Sequence, residues 1–127
     1  MEIFEQLVAL LGRSYAPYSR FPVAAIIKTK SGKLYAGVNV ENSAYPLSRC
    51  AEQGAVSAMV AAGEQEIAEV WVMGKGEKPP TPCGGCRQVL SEFAVPEVRI
   101  HCLTDSGQTS TNTLGELLPY AFKLESR

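Results

Sequence analysis

A three-layer αβα sandwich on a mixed five-stranded sheet is the α/β fold class predicted by this 127-residue sequence. Two observations predict it. A pair of aliphatic runs joined by a short turn comes early, and helical and strand-like segments alternate after it. A hairpin makes antiparallel neighbours and βα alternation makes parallel ones, so the sheet is mixed and helices cover both its faces.

Each element has its own reason. In residues 2–15, Ile3, Phe4, Leu7, Val8, Leu10 and Leu11 recur at helical spacing, and the Pro17 segment breaks the run. Residues 23–29 and 34–40 are rich in aliphatics and read as strands, with Ser31-Gly32 as a two-residue hairpin turn. Residues 42–49 read as a loop. A strong helical stretch spans 50–62, with Gly63 as its stop. Residues 67–73 form a strand around Val70-Trp71-Val72, and the proline-rich stretch 74–82 is a loop. Residues 86–94 are helical and end before Pro96; 98–103 is a strand, and 108–111 a short edge strand. Thr113-Leu114-Gly115-Glu116 has capping-box form and opens a last short helix.

Composition bounds the function. The length suits one domain over residues 1–127. Hydrophobic residues at 46% and charged ones at 20% exclude a disordered chain. A net charge of -1 argues against a dedicated nucleic-acid binder, and Lys28, Lys30 and Lys33 bracket a turn as a solvated face. No apolar run is long enough for a membrane span, and the acidic start Met1-Glu2-Ile3-Phe4-Glu5 lacks the basic region of a secretory signal. The expected location is cytoplasmic. In that reducing setting, four cysteines point to metal or catalysis before disulfides.

Cys50-Ala51-Glu52 and Pro82-Cys83-Gly84-Gly85-Cys86 carry the chemistry. Residues three apart on a helix share a face, so Cys83 and Cys86 can grip one ion. Both arms fall at helix N-termini, where backbone N–H groups favour thiolates, the metal-binding form. Three protein ligands with an open fourth position define catalytic zinc, and Glu52 is then free to move protons for a hydrolysis. The alternative is a structural zinc site with a fourth ligand. Cys102 and His101 are the candidates, but they are neighbours on one strand and only one can face the site. Cys102 reads better as a small buried apolar residue, and His101 as a hydrogen-bonded or surface side chain. Glu52 has a bland reading too, as a first-turn carboxylate on the helix dipole.

These motifs, with Tyr15-Ala16-Pro17-Tyr18-Ser19-Arg20-Phe21-Pro22-Val23, Gly37-Val38-Asn39-Val40-Glu41-Asn42, Arg87-Gln88-Val89 and Glu116-Leu117-Leu118-Pro119-Tyr120-Ala121-Phe122, resemble the cytidine deaminases. The likeness is to the small homotetrameric three-cysteine zinc type and covers nearly the whole chain. It implies one zinc per subunit on Cys50, Cys83 and Cys86, with Glu52 as the catalytic proton carrier in hydrolysis of cytidine to uridine and ammonia. It implies that Phe21 lines the nucleoside pocket, that Asn39 and Glu41 bind ribose hydroxyls, and that the Ala51 N–H and a carbonyl near Thr81 hold the base. Tyr45 and Phe122 match positions that reach a neighbouring subunit's site. Many members carry arginine after the catalytic glutamate; here Gln53 stands there, able to donate a hydrogen bond but no charge. Arg87, with Arg49 as a further candidate, is the expected source of a cation behind the thiolates. The resemblance further implies a nucleoside substrate, deoxycytidine alongside cytidine, and pyrimidine salvage. The alternatives are a deaminase of another cytosine compound such as blasticidin S, a nucleic-acid-editing deaminase, and a non-catalytic zinc module. The ribose pair argues against the first, and the charge balance against the second.

Overall fold

The protein was described from a computed structural model covering residues 2–125. Its elements are α1 (Ile3–Leu11), β1 (Val23–Thr29), β2 (Leu34–Val38), α2 (Ala51–Ala61), β3 (Ile67–Gly74), α3 (Gly84–Ser91), β4 (Arg99–Thr104), β5 (Thr109–Thr113) and α4 (Leu114–Leu117). The strands form one sheet in the order β2-β1-β3-β4-β5. Only β3 and β4 run parallel, joined through α3; the other neighbours are antiparallel. The mixed five-stranded α/β sheet expected from the sequence is present.

Strand alternation divides the core between the two faces. Ala25, Ile27, Val70, Val72, Ile100 and Cys102 face α2 and α3 and are buried with Ala55, Met59 and Leu90. Ala24, Ile26, Met73 and Leu103 face α1 and meet Leu7 and Leu11. β1 sits inside the sheet with both faces covered, so its sequence is nearly all apolar, whereas β5 is an exposed, threonine-rich edge. Two polar members of the β4 region also follow the alternation. His101 points to the α1 side, where it stacks on Trp71 and bonds to Glu69 (2.5 Å) and Thr111 (2.8 Å). Cys102 points into the opposite core and is 1% exposed.

Four boundaries differ from the sequence reading. α1 stops at Leu11 because Gly12 caps it and Tyr15 then pairs with Val40 instead of continuing the helix. The β1–β2 turn has three residues: Thr29 and Lys33 close it, and Gly32 takes φ +90°. A two-residue turn would need Ser31 in a left-handed conformation, which glycine tolerates far better. β2 ends at Val38, and Asn39 lies beyond the ladder. Cys50 and Cys83 cap helices α2 and α3 from just outside them, so α3 begins at Gly84, earlier than its apolar pattern suggests. The capping box is formed as expected, with Thr113 and Glu116 exchanging side-chain and backbone hydrogen bonds.

One close approach positions the site. A Cβ on Gly37 of β2 would lie 2.3 Å from the Ala51 carbonyl oxygen and 2.4 Å from the Ala55 nitrogen. The missing side chain lets the first turn of α2 lie directly on the sheet edge.

Candidate active site

Two helix starts meet at three sulfurs. Cys50 caps α2, Cys83 caps α3, and Cys86 lies in the first turn of α3. Their Sγ atoms all lie within 4.8 Å of one another, with Cys50–Cys83 at 3.9 Å and Cys83–Cys86 at 3.4 Å. Three sulfurs held about 2.3 Å from a tetrahedral zinc are about 3.8 Å apart, so the trio already has the spacing such an ion requires. The Cys86 N–H donates to the Cys83 sulfur, and Gln53 Nε2 lies 3.8 Å from the Cys86 sulfur.

The charge preferences of the trio also suit a dication. Burial pushes the Cys50 and Cys86 thiols up, and the Glu52 charge adds to both shifts. Burial acts against Cys83 as well, but hydrogen bonds from the Cys86 N–H and the neighbouring thiols outweigh it and bring Cys83 down. One thiolate is comfortable here on its own; three need a cation between them. Among the described residues these three are the only group of metal-ligating side chains so arranged. Cys102 is not part of it: burial pushes its thiol up to about 11, and it packs as a core residue. His101 is on the other face of the sheet. Among the described residues no fourth protein ligand joins the trio.

Glu52 is the one buried carboxylate, 4% exposed, among the described residues. Burial pushes its carboxyl up; its own backbone N–H and the Cys86 thiol draw it part of the way back. It lines the cleft with Cys50 and Cys83 and is not out on the helix surface. Ala51, fully buried at the first position of α2, has an N–H with no intrahelical acceptor.

A cleft of about 280 Å³ brings Cys50, Ala51, Glu52 and Cys83 together with Phe21, Asn39, Glu41, Arg49 and Thr81, while Cys86 is fully buried and outside its lining. This is near the lower end of ligand pockets, about 300–1,000 Å³, and suits a small molecule. Gly74 sets one wall: a Cβ there would sit 3.0 Å from Pro80 and 3.1 Å from the Phe21 ring.

Asn39 and Glu41 are each tied to the loop before β1. Asn39 Oδ1 accepts from Ser14 Oγ and from the Val23 N–H (2.9 Å), and Nδ2 donates to the Phe21 carbonyl (2.9 Å). Glu41 accepts from the N–H groups of Tyr18 (2.9 Å) and Ser19 (3.1 Å) and from Ser19 Oγ. The Ser19 hydroxyl, with these amides, holds the Glu41 carboxyl below its ordinary value. An amide nitrogen has two hydrogens and a carboxylate about four acceptor positions. Asn39 thus retains one donor and Glu41 one acceptor, and both residues line the cleft.

The remaining expected residues fall elsewhere. Tyr45, 73% exposed, lines an adjoining pocket with Tyr18, Ser19, Glu41 and Ser48. Phe122, 69% exposed, lines neither cleft. Arg87, expected as a cation beside the thiolates, directs its donors to Pro82, Leu117 and Thr81. Arg49 lines the cleft but donates to the Pro46 and Ser48 carbonyls. Ser14 and Ser19 were not singled out by sequence reasoning. Their partners lie 25 and 22 residues away, and no local pattern marks such contacts.

Comparison with known proteins agrees with this geometry. Residues 1–102 match the sequence profile of the cytidine and deoxycytidylate deaminase zinc-binding region. The chain is 38% identical to a cytidine deaminase of Sporosarcina psychrophila over 113 residues, covering 89% of this chain and 83% of that protein. It is 36% identical to a cytidine deaminase of Mycoplasma genitalium, covering 95% and 93%. The crystal structure of cytidine deaminase from Burkholderia pseudomallei superposes with a TM-score of 0.89 at 38% identity, covering 94% of this chain and 96% of that one.

Proposed function

This chain belongs to the cytidine and deoxycytidylate deaminase zinc-binding family, and from that premise we propose that it hydrolyses cytidine, and deoxycytidine with it, to the corresponding uridine and ammonia. The observation that carries the reading is a buried carboxylate, Glu52, in one cleft with Cys50 and Cys83 of the three clustered thiols, and with a free donor on Asn39 and a free acceptor on Glu41.

Cys50, Cys83 and Cys86 hold one zinc. When bound, that ion would lower the pKa of a water and so make a nucleophile available at neutral pH. Glu52 accepts a proton from the attacking water and passes it to N3 of the pyrimidine, which leaves C4 open to attack. Oxygen adds at C4. The same carboxylate then takes the proton of the new C4 hydroxyl and delivers it to the exocyclic nitrogen, the C4–N bond breaks as the C4 carbonyl forms, and ammonia leaves.

The Ala51 N–H and the loop at Thr81 hold the base, Phe21 packs on it, and Asn39 and Glu41 take the ribose hydroxyls. Gln53 donates to the Cys86 sulfur. Tyr45 and Phe122 serve a neighbouring copy's cleft in a homotetramer; their exposure and their position outside this chain's own first cleft support that role. Residues 1–127 act as one catalytic domain, and the expected setting is pyrimidine salvage in the cytoplasm, where reducing conditions keep the trio available as thiolates.

Parallel assays of cytidine, deoxycytidine and blasticidin S, following ultraviolet absorbance and released ammonia, test the substrate. Turnover of the first two is expected. Turnover of blasticidin S alone would assign a different substrate. Sedimentation at micromolar concentration tests the assembly, with a tetramer expected and a monomer contrary to it.

A further inference from the structure

Arg87 follows the ligand Cys86, yet no hydrogen bond joins its guanidinium to a sulfur. Nε donates to the Pro82 carbonyl (2.7 Å), Nη2 to Thr81 Oγ1 (3.3 Å) and Nη1 to the Leu117 carbonyl (2.8 Å). The first two partners belong to the loop that enters the ligand pair, and Thr81 lines the cleft. The third is the last residue of α4, where helix carbonyls lack internal partners and a cation is favoured.

The same side of α3 makes two further ties. Gln88 Nε2 donates to the Phe122 carbonyl (3.1 Å), and Lys123 Nζ returns to the Ser91 carbonyl (3.2 Å). Residues i, i+1 and i+4 of one helix thus hold the chain from Leu117 to Lys123. That chain has little hold of its own. Among the described residues beyond Leu118 there is no backbone–backbone hydrogen bond, Tyr120 takes φ +54°, and Tyr120 and Phe122 are exposed.

We infer that Arg87 is a positioning residue, a brace that ties the cleft-wall loop at Thr81–Pro82 to the C-terminal segment Leu117–Lys123. Its donors are taken up by this brace, and none is hydrogen-bonded to a thiol sulfur. The planar fork of a guanidinium reaches acceptors on two separate segments at once; a lysine ammonium is a single point and cannot. The inference rests on the reading of Cys83 and Cys86 as zinc ligands.

Arg87→Lys and Arg87→Gln separate geometry from charge. Zinc-loaded wild type and both variants are compared by zinc affinity against a chromophoric chelator, by chymotryptic cleavage after Tyr120 and Phe122 with fragments identified by mass, and by KM and kcat for cytidine. As a brace, Arg87 makes the two variants behave alike. Cleavage in the segment rises about 10–100-fold, the range set by loss of hydrogen bonds to a charged group, while zinc stays at one per chain. KM rises more than kcat falls, because a cleft wall has loosened. A Lys variant with wild-type cleavage and KM, beside a Gln variant that has lost zinc affinity, would establish counter-charge and overturn the brace. Gln88→Ala, which removes only the Phe122 tie, is expected to speed cleavage while zinc stays at one per chain; unchanged cleavage there counts against the shared hold on the segment. Proteolysis and zinc binding report on the brace even if cytidine is not turned over, so its failure and that of the substrate assignment are distinguishable.

Discussion

Replacing Gly37 by alanine places one methyl group where the site has no room. Its nearest neighbours would be the Ala51 carbonyl oxygen at 2.3 Å and the Ala55 nitrogen at 2.4 Å, both backbone. Ordinary contact begins at 3.4 Å, so the start of α2 must move from β2 by more than an ångström. No side chain can swing away to absorb it. Inserting a methyl into a packed core costs about 1–3 kcal/mol, and rigid backbone neighbours put this case at the upper end. For a chain of this length, ~3 kcal/mol lowers Tm by roughly 10 °C. The displaced turn carries Cys50 and Glu52, and such sites tolerate about 0.5 Å, so zinc affinity falls along with stability. The other side of the contact is the control. A Cβ on Gly54 meets the Gly37 Cα at 3.6 Å and nothing nearer, while alanine gains about 1 kcal/mol of helix propensity. Thermal melts with and without zinc, together with zinc content per chain, read both variants. Gly37→Ala melts far below wild type and is depleted in zinc, whereas Gly54→Ala melts a few degrees higher with full zinc. A Gly37→Ala protein that matches wild type in melting and metal content would refute the close-approach argument.

Other consequences are separately measurable. Gly74→Ala pushes against the Phe21 ring and Pro80, so KM for cytidine rises several-fold while Tm changes little; unchanged KM would show that this wall does not touch the substrate. With zinc removed by a chelator, a thiol reagent at pH 8 modifies Cys83 first, because it is exposed and its thiol is lowered, and Cys86 last, because it is buried and raised; zinc-loaded protein is protected at both. Ser31 and Tyr35 hold the Glu64 carboxyl below its ordinary value of 4.5, so the native state binds fewer protons than the unfolded one. Stability from that contact is complete above 4.5 and is lost as pH falls through the lower native value. The urea midpoint of wild type should exceed that of Glu64→Gln at pH 7 and converge with it in acid; a pH-independent gap would contradict this origin.

The legible parts of the molecule are those written in short stretches of sequence. Cys50 and Cys83 sit at helix starts that apolar patterning locates to within a few residues, and the Cys83–Cys86 spacing puts both thiols on one face. The capping box at Thr113 is local and is formed as expected. Strand alternation separates His101 from Cys102 correctly, because neighbours on a strand cannot share a face. Long-range contacts leave no such trace. Ser14 and Ser19 orient Asn39 and Glu41 across more than twenty residues, and no periodicity announces them. Arg87 stands where a cation beside thiolates is expected, but no local pattern shows that acceptors on Pro82 and on Leu117, thirty residues away, hold its fork. Gly37 is intermediate: a glycine inside a strand signals close backbone approach, but only the structure shows that α2 is what approaches.

Zinc content and cytidine turnover measured together in Glu52→Gln test the central claim most directly. The amide keeps the size of the side chain and cannot carry the proton. The variant should hold one zinc per chain and lose about 10²–10⁴-fold in turnover, the value of general acid–base catalysis. A variant with full zinc and wild-type turnover would remove Glu52 from the chemistry and contradict the account.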